Sequence, residues 1–406
     1  MKKKLIAILI VLALSIASVI TVTACNPEST FTADVFIYDY SDTYISTVRS
    51  SLEDEFKKKG ISYNFYDAAN NQSTQTDQID TALSKGSDLL IVNIVDTSSE
   101  DTAKSIVEKA EEKGVPVVFF NREPSSTIFT TDYAESTAFV GTNYVQAGYM
   151  QGEMIANDLM ANETDDGFAI ADVNKDNEIQ YIMMRGEMSN NEAIARTLYS
   201  VITANKILAD NDKEYKLVAS TLNATTGDSA SAPDGWSFSY DDEDLTLAAA
   251  ITKYCDGVSP LSAYSVDDGG AWSSTKAQAM MDTILGSDAS KITSGQVEMA
   301  ICNNDGMAEG VISSLYDIGY NTTTYDSAKY LPVYGVDATD AAKSLIKEKR
   351  MSGSIAQDGA AMAEAIASLA LNVQEGETLM SNTDDYIVDG EKENNIRIPY
   401  AIYTGE

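Results

Sequence analysis

The 406-residue chain has no histidine. That excludes Ser-His-Asp and Cys-His nucleophilic catalysis, histidine general bases and His-ligated zinc, and leaves carboxylate, lysine or tyrosine chemistry to any enzyme. Cysteine is nearly as scarce, occurring only at Cys25, Cys255 and Cys302. The last two permit one disulfide, but Cys302 sits inside the apolar run VEMAIC, where a buried free thiol is expected. Positive charge is also short: 28 Lys and Arg stand against 62 Asp and Glu, for a formal net charge of -34. So acidic a chain repels phosphate backbones and anionic lipid, so nucleic acid is not an expected partner.

What is present begins with a leader, MKKKLIAILIVLALSIASVITVTAC, a basic start followed by an apolar run. At about twenty residues the run is long enough to span a bilayer, so an uncleaved anchor is one reading. The small residues Thr23 and Ala24 directly before Cys25, and the polar NPESTFTAD after it, favour a lipoprotein signal. Residues 1–24 are then a signal peptide, Cys25 the lipidated first residue of the mature chain, and 25–33 a tether to the outer face of a membrane. The roughly 380 residues that remain exceed what one core usually holds, which predicts two domains.

From residue 34 apolar strands alternate with amphipathic stretches. Strands are expected at 34–40, 61–68, 88–96 and 115–121, and a second series at 179–186, 215–220, 297–305 and 330–337. Short strands that are almost wholly apolar, separated by helices, predict an α/β fold of two doubly wound parallel-sheet lobes. Residues 221–270, rich in Ser, Asp, Gly and Ala, break the rhythm and are expected to form an insertion in the second lobe that projects to solvent, with one short helix at 245–255.

Ligands of open α/β sheets bind beyond the carboxyl ends of the strands. The residues there include Asp42, Tyr44, Asn93, Asn121 and Glu123 in the first series, and Glu187, Asn190, Glu192, Asn304 and Asp337 in the second. Amides and carboxylates that bridge adjacent hydroxyls, together with aromatic faces for the ring, suit a sugar. Any one of these residues taken singly is better read as a helix N-cap, and it is their accumulation that argues for a site. The segment DVNKDNEIQ places Asp172, Asn174, Asp176, Glu178 and Gln180 on alternate positions, as in an EF-hand loop, but Met183 stands where the last carboxylate belongs. The segment is either an acidic turn or a calcium loop closed from elsewhere.

The stretches YDYSDTYISTVR, NNQSTQTDQIDTALSKGSDLLIVNIVD, VPVVFFNREPS, FVGTNYVQAGYMQG, NKDNEIQYIMMRGE, ICNNDGMAEG and PVYGVDA, in that order, resemble the bacterial periplasmic galactose/glucose-binding proteins, type I solute-binding proteins of ABC sugar importers. The resemblance implies that Asp42, Asn93, Arg196, Asn304 and Asp337 hydrogen-bond a monosaccharide and that Tyr44 and Trp272 flank its ring. Asn190, Glu192 and Gln357 occupy site positions with residues other than the family's usual ones, which bears on which hydroxyl epimer fits. It also implies a structural calcium ion held by Asp172, Asn174, Asp176, the carbonyl of Glu178, Gln180 and the distant Glu298.

In such a fold three chain crossings join the lobes, here expected near 142–145, 354–358 and 386–392. The first lobe is then 34–142 plus 357–387, and the second 143–356 plus 388–403. The implied partners are the sugar, the membrane subunits of an ABC permease and a chemoreceptor, with the chain monomeric and touching the membrane through its lipid alone. A glycoside-processing enzyme using Asp42 and Asp337, a surface sugar sensor of the same fold, and a pentose or inositol as ligand are the rival readings.

Overall fold

Runs such as LLIV and VVFF have no polar face to offer water, so they form central strands covered by helices on both sides. The computed structural model, which describes residues 31–124, 128, 133–223, 231–389 and 392–405, contains two such sheets. The first lobe alternates β1 (Thr32–Ile37), α1 (Thr43–Lys59), β2 (Ser62–Asp67), α2 (Gln72–Lys85), β3 (Leu89–Val92), α3 (Glu100–Glu111), β4 (Val117–Phe120) and β5 (Thr137–Gly141). Its strands pair in parallel in the order β2-β1-β3-β4-β5, with Val35 beside Ile91 and Val118 beside Ala138. Phe36, Phe119, Phe120 and Phe139 are fully buried there, each stabilising the lobe by roughly 1.5–3 kcal/mol.

The second lobe runs α4 (Tyr144–Ala161), β6 (Glu178–Arg185), α5 (Asn191–Asp210), β7 (Lys216–Ala219), β8 (Ser237–Tyr240), β9 (Glu243–Thr246), α6 (Leu247–Tyr254), β10 (Ser265–Val266), α7 (Ser274–Leu285), α8 (Ser290–Thr293), β11 (Met299–Cys302), α9 (Asp305–Asp317), β12 (Val333–Asp337), α10 (Asp340–Lys347) and β13 (Gly353–Gln357). The chain then returns to the first lobe as α11 (Gly359–Gln374), which packs on α1, followed by β14 (Ile387–Asp389) and β15 (Lys392–Arg397). It ends in the second lobe with β16 (Tyr400–Tyr403), antiparallel to β13. The second sheet has the order β6-β11-β12-β13-β16, and the outer edge of β6 is shared by β7 along its first half and β10 along its second.

Two expectations are corrected. The third crossing lies at residues 398–399 rather than within 386–392, and 388–397 belong to the first lobe, because β15 pairs in parallel with β5 through Ile396 and Val140. The insertion does not simply project to solvent. Helix α5 is buried from Glu192 to Lys206, so it needs cover on a second side. The β8–β9 hairpin, α6 and the turn at Pro260–Ser262 provide it, packing Phe238, Tyr254 and Leu261 against Ile194, Leu198 and Tyr199. The leader, Cys25 and residues 224–230 lie outside the described residues. Cys255 and Cys302 are both free thiols, the latter buried. No helix among the described residues is long and apolar enough to cross a membrane.

Candidate functional site

The carboxyl ends of both sheets face one another across a small cleft of about 30 Å3. The first lobe lines it with Tyr38 and Asp42 after β1, Tyr44 in the first turn of α1, and Asn121 and Arg122 after β4. The second lobe contributes Glu192 and Arg196 from α5, Trp272 ahead of α7, Asn304 after β11 and Asp337 at the end of β12, with Gln357 beside the second crossing. Eight of the ten residues expected at a sugar site therefore line one cavity.

Asn93 and Asn190 are not among the lining residues. Asn93, fully buried, braces the floor: its Oδ1 accepts from Tyr38 N at 3.3 Å, and its Nδ2 donates to Phe120 O at 3.1 Å. Asn190 caps α5, its Oδ1 accepting from Ala193 N at 3.0 Å.

The capping and binding readings of these residues are compatible. Asp42 Oδ1 caps α1 by accepting from Ile45 N at 2.8 Å, while its Oδ2 accepts from the Tyr38 hydroxyl at 2.6 Å. Asn304 Oδ1 caps α9, accepting from Met307 N at 2.9 Å, which leaves its amide NH2 toward Trp272 O. A helix that starts at the end of a strand thus presents its cap to the cleft.

The backbone is strained at the lining itself, with φ of 58° at Asn121, 55° at Trp272 and 119° at Asp337. Gly186 is required beneath Trp272, since a Cβ there would stand 2.1 Å from the indole.

Burial pushes the carboxyl groups of Asp42, Glu192 and Asp337 above their usual range; for Asp337, Arg196 works against the rise, and Asp305, Asp42 and Glu192 add to it. Burial also opposes the charge on Arg196, but Tyr400, Glu192 and Asp337 hold it protonated. Arg196 donates to Asn303 O at 2.8 Å and to the Tyr400 hydroxyl at 3.2 Å, and its guanidinium lies 5.6 Å from the Trp272 ring centroid. Its Nε, the Trp272 Nε1 and the Tyr44 hydroxyl are buried without protein partners. Buried polar atoms of this kind are expected only where something else meets them.

Behind the cleft, the Tyr400 hydroxyl accepts from Thr142 Oγ1 at 2.8 Å and donates to Gln357 Oε1 at 2.8 Å. These residues stand at or beside the three crossings, so one phenol joins all three.

The sequence did not single out Tyr38 or Arg122. Arg122 lies in FFNREPS next to Asn121, and its place in the wall follows from β3 and β4 being neighbours, which no local pattern states.

The expected calcium loop turns sharply, with φ of 58° at Lys175 and 67° at Asn177. Glu298 does reach it: Oε1 accepts from Val173 N at 2.7 Å and Oε2 from Gln180 N at 2.9 Å. Asp172 and Glu298 are both buried and, among the described residues, have no ion-pair partner. Burial, with Asp172 adding to it, pushes the Glu298 carboxyl up to about 7. A divalent cation would relieve that pairing of like charges, so the donor chemistry fits one. Other loop oxygens are turned to backbone N–H groups, as where Asp176 Oδ1 accepts from Glu178 N at 2.9 Å. As the side chains stand, no three acidic groups among the described residues converge closely enough to ligate an ion.

A larger hollow of about 720 Å3 lies at the opposite edge of the second sheet, walled by Asp158, Tyr320, Tyr330, Leu331, Ile346 and Met351 among others. Pro332 and Ser352, immediately ahead of β12 and β13, mark it as lying at the amino ends of the strands. Two of its polar wall groups are engaged, Asp158 with Tyr334 and Tyr330 with Ser352.

The chain is 29% identical over 381 residues to the D-galactose/methyl-galactoside binding periplasmic protein MglB of Haemophilus influenzae, covering 93% of this chain and 91% of that one. Among solved structures it matches an ABC transporter solute binding protein from Bacillus halodurans with bound myo-inositol, at TM-score 0.60 and 21% identity, covering 93% of this chain and 95% of that one. It also matches an ABC transporter solute binding protein from Clostridium phytofermentans with bound β-D-glucose, at TM-score 0.59 and 17% identity over 92% and 94%. These relatives are binding proteins, not enzymes, and the two-lobed α/β architecture is theirs. The profile of the periplasmic binding protein domain matches residues 33–235 and 241–378, and the chain belongs to that family.

Proposed function

We propose that this protein captures a monosaccharide, an aldohexose of the galactose or glucose type, in the cleft between its lobes and delivers it to an ABC importer. The reading is carried by one observation: three buried carboxylates, Arg196, Asn304 and Gln357 converge with an aromatic ring from each lobe on one cleft. Hydroxyl pairs match the carboxylates and the arginine, and the apolar ring faces match Tyr44 and Trp272. A sugar that bonds residues of both lobes stabilises the closed form alone, and the closed form is what a permease can read. Calorimetry against hexoses, pentoses and inositols tests it. Heat with an aldohexose is expected; heat with a pentose or inositol alone would overturn the hexose assignment.

Inositol is the second reading, supported by the longer Glu192 and Gln357 side chains in the wall and by the inositol-bound neighbour. A surface sensor of the same fold would show the same heats; finding permease and ATPase genes beside this one would favour transport.

Two further elements belong to this proposal. The loop from Asp172 to Gln180, closed by Glu298, holds calcium as a structural clip of the second lobe, supported by two buried carboxylates that lack a cationic partner. The mature chain is tethered extracytoplasmically through lipid on Cys25, supported by the leader pattern. Mass spectrometry of the mature amino terminus checks the tether, and an unmodified Cys25 would reject it.

A further inference from the structure

Arg122 follows β4 in the first lobe, and its side chain is 3% exposed. Its guanidinium is aimed by its own lobe: Nε donates to Ile94 O and Nη2 to Val95 O, both at 2.8 Å, and the group lies 4.4 Å from the Tyr38 ring centroid. The same Nη2 donates at 2.9 Å to Glu187 Oε2, in the turn after β6 of the second lobe. That turn is fixed in its own right, because Arg185 donates to the carbonyls of Glu187 and Met188. Glu187 also stands on the seam between the lobes. A Cβ at Gly270 would come within 3.3 Å of its Cγ, and one residue earlier Gly269 O accepts from Asn70 of the first lobe at 2.7 Å.

We propose that the Arg122–Glu187 ion pair is a latch: it holds the lobes shut over the ligand and sets how long a sugar is retained, not which sugar is chosen. The proposal rests on the sugar-binding reading above. Each half is positioned within its own lobe and faces water when the lobes part, so the attraction between them counts toward the closed state alone. Arg122 also offsets the nearby carboxylates of Asp42 and Glu192, which closure brings together with Asp337. Two of its donor groups are committed to carbonyls, which suits a fixed post better than a reader of hydroxyls. Arg122 and Glu187 are positioning residues in this account.

The test uses Arg122→Gln, Glu187→Gln and the double variant, with the best sugar from the calorimetric panel. Each single variant should weaken binding about tenfold, mainly through a faster off-rate in stopped flow. The double variant should be no weaker than the worse single, and the ranking of sugars should not change. A Glu187→Gln protein that binds like the wild type, additive losses, or a reordered ranking would each overturn the latch. Should Arg122→Gln fail to fold, Glu187→Gln, on the less buried partner, still decides the matter. Distances between spin labels on the two lobes, measured without sugar, supply a second readout: the closed population should be smaller in Glu187→Gln, and equal populations count against the latch. A wild type that binds nothing in the panel defeats the sugar reading, and the label distances then decide the latch alone.

Discussion

The cleft between the lobes measures about 30 Å3 and the hollow beneath the second sheet about 720 Å3, yet the smaller space brings together eight of the ten residues expected at a sugar site. Volume records where packing stops. Recognition needs buried polar atoms that lack partners, and the cleft wall holds three of them, on Tyr44, Arg196 and Trp272. In the larger hollow Tyr330 is bonded to Ser352 and Asp158 to Tyr334, and exposed Val173 and Tyr325 reach its rim. Positive φ does not follow that division: Asn121, Trp272 and Asp337 carry it in the cleft, and Lys175 and Lys349 carry it in the wall of the larger hollow. Strain of that kind persists where surrounding structure holds a side chain to a task.

The contrast can be broken most directly at Asp337. Replacing it with alanine should weaken sugar binding about a hundredfold or more, since a buried acceptor to the ligand is lost. Its melting temperature should not fall, because a carboxylate that burial disfavours is removed; retained affinity in calorimetry would discredit the cleft. Trp272→Ala should cost about ten- to fiftyfold in affinity through loss of the ring face. An unchanged dissociation constant there would mean that no ring stacks on the indole.

Calcium removal probes the other side of the comparison, because Asp172 and Glu298 also border the larger hollow. Chelation should lower the melting temperature by about 5 °C and calcium should restore it, with sugar affinity changed less than about twofold. An unaltered melt rejects the ion.

Asp305 lies beneath the cleft, accepting from Ser354 Oγ at 2.6 Å and Thr339 N at 2.8 Å, and burial pushes its carboxyl up to about 7. With the folded value above the unfolded one, its contribution to stability is complete below the ordinary carboxyl range and is lost as pH rises through about 7. Asp305→Asn should therefore gain on the wild type as pH rises from 4 to about 8, and parallel melting curves across that range would refute the shift. The smallest effect is expected at Tyr325, half exposed at the rim of the larger hollow. Tyr325→Ala should move sugar affinity by less than about twofold; a larger loss would tie that hollow to the cleft.

Much of this was legible in the residues, for physical reasons that differ from element to element. Strands such as β3 and β4 have no polar side, so their burial could be read directly. The caps Asp42 and Asn304 were visible as residues following strands, and the parallel sheet turns such residues toward a ligand. Glu298 was reached only through resemblance, because the closure is made by β6 and β11 lying side by side. β15 was misplaced because no local pattern says which sheet it joins; its lobe is settled by pairing with β5, a contact between residues far apart in sequence. The insertion was misjudged on composition, since its few apolar side chains are enough to cover α5.

Tyr400 adds a mechanical consequence. With Thr142 and Gln357 both bonded to its hydroxyl, the crossing segments are pinned at a common fulcrum and cannot bend as three independent joints. Opening and closing then become rotation about one fixed point. Arg196, which lines the cleft, donates to that same oxygen, so the fulcrum is fastened to the cleft wall itself.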